Sequence, residues 1–249
     1  MAPTDLAYLA VCLKELKQTI QKSDRRPISK SMNVSNHTVV PAARIARERA
    51  ADAIVHLLGI GLGLPAAIAI VALAIRDGAA GEVAAVAVYG AGLVAMLGCS
   101  AAYNLRHRSP RREWLQRFDH AAIFAMIAGT YTPFTLRLAR GWAEGLTAGI
   151  WIVAAFGIAT KLWKPKGIAR ISTVLYLALG WIGLVAAGPF TAALGPPTLI
   201  LLATGGVIYS AGVVFHVWQR LQYQNAIWHG FVLAAACVHY AAVLTVMGA

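Results

Sequence analysis

Apolar residues gather into seven long runs, at about 53–75, 83–105, 119–139, 143–163, 171–193, 196–218 and 226–248. Each approaches or exceeds the roughly 20 residues that a helix needs to cross a hydrocarbon core of about 30 Å. Water is absent from that core, so backbone N–H and C=O groups must pair within the segment and helices are expected. The pattern predicts an all-α protein, a bundle of seven transmembrane helices. Pro65, Pro133 and Pro189 fall inside runs and are expected to kink them locally. Gly59 and Gly63 are spaced four apart, as are Gly145 and Gly149, which allows a second helix to approach closely.

Residues 1–50 are polar and basic. Leu6, Leu9, Leu13, Leu16 and Ile20 recur at helical spacing, with Lys14, Lys17 and Lys22 elsewhere on the wheel. Two readings stand: a short amphipathic helix on the membrane surface, or a disordered extension. Residues 23–46 have the Ser, Pro and Asn content of a linker, and Met32 offers an alternative start. No uninterrupted apolar stretch follows the first charges, so no signal peptide is expected. The expected organisation is an N-terminal extension, 1–46, followed by a seven-span membrane domain, 47–249.

Composition agrees with the pattern. Of 249 residues, 59% are hydrophobic and 13% charged, and the mean hydropathy is +0.64. Soluble domains carry about 25% charged residues. The net charge of +12 is not a nucleic-acid signal, because the basic residues lie between apolar runs and form no aromatic-basic stripe. Membrane lipids are the expected partners. If the N-terminus is inside, 19 of the 22 Lys and Arg fall in cytoplasmic segments and only Arg76, Arg137 and Arg140 fall outside. That asymmetry predicts a cytoplasmic N-terminus and an external C-terminus. The three cysteines have no CxxC spacing and give no disulfide or zinc-finger pattern.

Polar side chains within apolar runs are candidates for function by default. In the expected topology Ser100, Asn104, Asp119, Asn225, His229, His56 and His216 share one depth near the cytoplasmic face. Ser100 and Asn104 are four apart on one helix face, as are Asn225 and His229. Helix ends are polar in any case, and that is the simpler reading for His56, His120 and His216 taken singly. Asp119 reads equally as a helix N-cap and as a site residue. His239 lies about 15 Å deeper than His229 and is expected to be a buried histidine bonded to a neighbouring helix.

The stretches Ser100-xx-Tyr103-Asn104, Phe118-Asp119-His120-xx-Ile123, Ile127-Ala-Gly-Thr-Tyr-Thr-Pro-Phe134 and Ala226-Ile-Trp-His229-Gly-Phe-Val232 resemble the hemolysin III family. This is the bacterial branch of the progestin and adipoQ receptor superfamily. The resemblance runs from about Arg47 to the C-terminus and includes His56-Leu-Leu-Gly-Ile-Gly61. It implies a seven-helix bundle in the bacterial inner membrane. It also implies a cytoplasmic-side zinc site, held by one His of span 2 and two of span 7, with a nearby Asp and Ser. The chemistry so implied is zinc-assisted hydrolysis of a lipid amide.

By that resemblance Asp119 and Ser100 are the catalytic positions and His229 is a metal ligand. Asn104 and Asn225 stand where the other two histidines are expected. An amide oxygen is a poor zinc donor, so three arrangements stay open. The site is metal-free, with the Asn side chains bonding Asp119 and His229; it recruits Asp119, His120, His56 or His216; or it takes a harder cation through oxygens. Three functions follow: a metal-dependent lipid amide hydrolase or its altered remnant, a pore-forming cytolytic protein, or a non-catalytic lipid-sensing protein of membrane homeostasis.

Overall fold

The computed structural model describes residues 42–163 and 169–247, and these are helical with short connections. The readings for residues 1–41 lie outside the described residues. The helices are α1 (Ala42–Asp77), α2 (Ala80–Leu105), α3 (Arg112–Thr135), α4 (Arg140–Trp163), α5 (Ala169–Gly180), α6 (Ala187–Ala193), α7 (Pro196–Val217) and α8 (Gln224–Met247). A 3₁₀ turn (Ile182–Ala186) joins α5 to α6. Among the described residues there is no strand, so the all-α expectation holds.

α1 starts eleven residues before its apolar run. The opening Ala-Ala-Arg-Ile-Ala-Arg-Glu-Arg-Ala-Ala favours helix residue by residue, and Arg44 adds an i,i+4 pair to Glu48 at 2.9 Å. Thirty-six residues extend about 54 Å, well beyond a hydrocarbon core. The first turns of α1 thus carry charge, and the apolar run follows.

Six helical segments are long and apolar enough to cross a membrane: α1, α2, α4, the α5–α6 segment from Ser172 to Ala193, α7 and α8. α3 is not one of them, which departs from the expectation of seven equivalent spans. Its first eight residues include Arg112, Glu113, Arg117 and Asp119. The physical reason lies in its surroundings: α3 packs against α2, α4, α5 and α8. Ten of its 24 residues are buried, whereas α7 buries three of 22. A helix covered by other helices need not present apolar side chains to lipid.

Helices α1 and α2, α2 and α3, α3 and α4, α7 and α8, and α1 and α8 are neighbours. The main core contains Ile70, Tyr89, Phe134 and Val243, all fully buried. A smaller core holds Phe124, Ala128, Ile150, Ala154 and Leu179. A Cβ at Gly63, where α1 meets α2, would lie 2.2 Å from the end of the Leu97 side chain, which would have to shift. The second glycine pair behaves differently: nothing lies within 4 Å of a Cβ at Gly145 or Gly149, so its spacing marks no close helix contact among the described residues.

The fifth run is broken rather than continuous. Pro189 has no N–H to give to the carbonyl four residues earlier, and its ring crowds that carbonyl. The break is therefore upstream of the proline, in the turn Ile182–Ala186. Tyr131 of α3 catches the backbone groups so exposed. Its hydroxyl donates to Gly180 O and accepts from Gly183 N–H at 3.1 Å.

Candidate metal centre

Polar residues on α1, α2 and α8 set the site. On α1, Asp52 and His56 lie one turn apart and both are buried. On α2, Ser100 and Asn104 do the same near the C-terminal end, and Asn104 is buried. On α8, His229 sits in the second turn, one turn after Asn225. Packing of α1 against both α2 and α8 brings these short polar stretches together.

The contacts are specific. His229 Nδ1 lies 2.7 Å from Asp52 Oδ1. His56 Nδ1 lies 2.8 Å from the Asp52 carbonyl oxygen and 3.6 Å from Asp52 Oδ1. Oxygen acceptors opposite both Nδ1 atoms fix the tautomers: each Nδ1 carries the proton and donates it. In the neutral rings each Nε2 is then left with a lone pair. His56 Nε2 faces Ser100 Oγ at 3.2 Å. The two imidazoles meet edge to face, with centroids 4.3 Å apart.

Asn104 Nδ2 donates to the Ser100 carbonyl at 3.0 Å and, more weakly, to Ser100 Oγ at 3.4 Å. Asp119 of α3 lies near Ser100 and within electrostatic range of His229 and Asp52. The Ser100 hydroxyl is within hydrogen-bond distance of His56 Nε2 and can donate to it.

Asp52, His56 and His229 offer ligand atoms that all lie within 4.8 Å of one another. Two imidazoles and a carboxylate form the donor set of a recurrent type of catalytic zinc site. A metal held between the Asp52 carboxylate and the two Nδ1 atoms would take the place of the protons those nitrogens carry toward Asp52. The residues present thus fit a divalent transition metal. They do so with a donor set different from the one the family resemblance implies, since Asn104 is bound up with Ser100 and Asn225 is exposed.

Of the residues expected at one depth, the structure joins His56, Ser100, Asn104, Asp119 and His229. It leaves out Asn225 and His216; His216 is exposed and packs against Trp228 with ring centroids 4.8 Å apart. Asp119 lies seven residues beyond the first residue of α3, which removes the N-cap reading. His120 points elsewhere: its carbonyl accepts from Tyr176 OH at 2.9 Å, and Lys161 and His216 are its charged neighbours. His239 donates from Nε2 to Leu202 O at 3.3 Å, a bond to the neighbouring helix α7. Sequence reasoning missed Asp52. The first apolar run was drawn from residue 53, one position too late, although the Asp52-xxx-His56 spacing repeats that of the other two pairs.

These features define an integral membrane protein, a helical bundle with a buried polar cluster near one end. Residues 46–240 match the family described as haemolysin-III related. The chain is 36% identical over 204 residues to Hemolysin-3 of Bacillus cereus, covering 81% of this chain and 92% of the relative. It is 32% identical over 200 residues to the Hemolysin-3 homolog of Bacillus subtilis, covering 80% and 93%. It is also similar to the human monocyte to macrophage differentiation factor, 29% identical over 163 residues, covering 63% and 67%. The chain belongs to the hemolysin III family, and the human relative links it to the progestin and adipoQ receptor superfamily.

Proposed function

We propose that this protein is a metal-dependent lipid amide hydrolase whose metal is held by Asp52, His56 and His229. The observation that carries the reading is the hydrogen-bonded cluster of Asp52, His56, His229 and Ser100, with Asp119 in electrostatic range of Asp52 and His229. A zinc ion there would polarise the substrate carbonyl and lower the pKa of a bound water to about 7.

The remaining chemistry belongs to the chain's own groups. Asp119 takes a proton from the attacking water through a carboxylate oxygen and returns one to the amide nitrogen as it leaves. The water oxygen ends in the new carboxyl group and the amine departs neutral, so atoms and charge balance. Ser100 orients the water or the carbonyl, and Asn104 holds the Ser100 backbone and hydroxyl in place.

The topology proposed with this site has seven membrane crossings, a cytoplasmic N-terminus and an external C-terminus, in a bacterial inner membrane. Two observations support it. The loop charges divide 19 to 3 between the two faces. The position of α3 between four other helices explains why one crossing is less apolar than the rest. On this topology the cluster faces the cytoplasm, and membrane lipid is the substrate.

The experiment is hydrolysis of a fluorescent ceramide by the purified full-length protein in lipid nanodiscs. Wild type is expected to release fatty acid, and Asp119→Asn to lose at least about 100-fold in rate, as removal of a general base typically costs. Equal rates for wild type, D119N and empty nanodiscs contradict the reading. The name of the Bacillus cereus relative keeps membrane lysis as a second reading. Conductance of the purified protein across a planar bilayer, with none for a boiled control, would favour it.

A further inference from the structure

A second feature lies at the same end of the bundle and is separate from the cluster. An open cavity of about 480 Å³ is lined by Arg49, Leu105, Arg106, His107, Arg108 and Ser109. Ligand sites usually span about 300–1,000 Å³. Arg49 comes from α1, and the other five residues come from the end of α2 and the turn that leaves it. Three arginines thus line one space, and no acidic residue lines it with them.

Four of the other described arginines are held by carboxylates, and these three are not. Arg44, Arg76, Arg137 and Arg140 each pair with a carboxylate at 2.6–2.9 Å. Among the described residues, no such partner is seen for Arg49, Arg106 or Arg108. Burial, and then the positive charges of Arg49 and Arg112, lower the His107 pKa from its ordinary value, with Asp52 opposing them. The cavity therefore carries positive potential, which favours an anion.

The guanidinium fork matches phosphate oxygens in pairs. Basic pockets at helix ends are where anionic headgroups dock. Arg49 precedes Asp52 by three residues on α1, and Arg106 follows Asn104 by two, so the cavity lies at the same end of these helices as the cluster. We propose that it is a phosphate site, taking the headgroup phosphate of an anionic membrane lipid. The lipid so held is a bound ligand rather than the amide substrate, and its binding does not rest on the hydrolase reading.

The test uses full-length protein in neutral detergent, titrated by thermophoresis with short-chain phosphatidylglycerol, short-chain phosphatidylcholine and inorganic phosphate. Phosphatidylglycerol is expected to bind at least tenfold tighter than phosphatidylcholine. R106Q/R108Q and, separately, R49Q should weaken it at least fivefold, whereas R111Q, outside the cavity, should change it less than twofold. Inorganic phosphate should compete, but more weakly than the lipid. Tighter binding of free phosphate than of phosphatidylglycerol would overturn the lipid assignment. Equal losses in R111Q and R106Q/R108Q would overturn the site in favour of diffuse surface charge. Unchanged binding in both R49Q and R106Q/R108Q would overturn it outright. Zinc content and melting temperature are measured on the same samples. Zinc lost from wild type with lipid binding intact counts against the hydrolase reading and leaves this one standing.

Discussion

Asp52 Oδ1 and His229 Nδ1 are 2.7 Å apart, a contact between α1 and α8 across 177 positions of chain. It links the first and last described helices through a buried carboxylate and an imidazole. Removing either partner leaves the other in a low-dielectric site without its bond. Asp52→Ala and His229→Ala should each lower stability by about 1–3 kcal/mol. Because the two share one interaction, the double variant should cost less than the sum of the singles by about 1 kcal/mol. Unfolding of the four proteins in the same detergent checks this, and strict additivity would show that the contact is not formed.

Packing near the smaller core gives a sharper steric contrast. A Cβ at Gly157 would lie 2.5 Å from the ring of Phe124, which is 1% exposed and cannot swing away. Gly157→Ala should therefore destabilise by about 1–3 kcal/mol. At Gly149, on the same helix, nothing lies within 4 Å. Gly149→Ala should be neutral or stabilising by up to about 1 kcal/mol, since alanine restricts the unfolded chain. Melting temperatures of the two variants should move in opposite directions or differ clearly in size.

Tyr131 serves two backbone groups freed by the break after α5, the Gly180 carbonyl and the Gly183 N–H. Tyr131→Phe keeps the ring and strands both. The expected cost is about 1–3 kcal/mol. Hydrogen exchange should read it locally, as faster exchange at Gly183 than in wild type with α1 and α2 unchanged.

Much of the scaffold could be read from hydropathy because lipid imposes a simple rule on it. A run of about 20 apolar residues has few structures open to it in hydrocarbon, and six runs obeyed that rule. α3 obeyed it less well because its neighbours, rather than lipid, surround it, and hydropathy cannot see neighbours. Pro189 announced a disturbance, but its missing hydrogen bond acts four residues upstream, so the break fell at Ile182–Ala186. Ser100, Asn104, Asp119 and His229 were legible as polar groups in apolar surroundings. Asp52 was not, because it lies at the boundary where charged residues are ordinary. Its burial comes from the packing of α1 against α2 and α8, which no local pattern reports. Asn225 failed for the opposite reason: its spacing to His229 suggested a shared site, yet its place in the first turn of α8 leaves it exposed.

The donor set formed by Asp52, His56 and His229 is tested most directly by the metal content of the purified full-length protein. Elemental analysis should find about one equivalent of zinc in wild type and below about a tenth in Asp52→Ala, His56→Ala and His229→Ala, as expected for a site needing three protein ligands. Asn225→Ala, outside the cluster, should keep the wild-type level. Zinc below about a tenth of an equivalent in wild type, or retained in full by Asp52→Ala, would contradict the assignment.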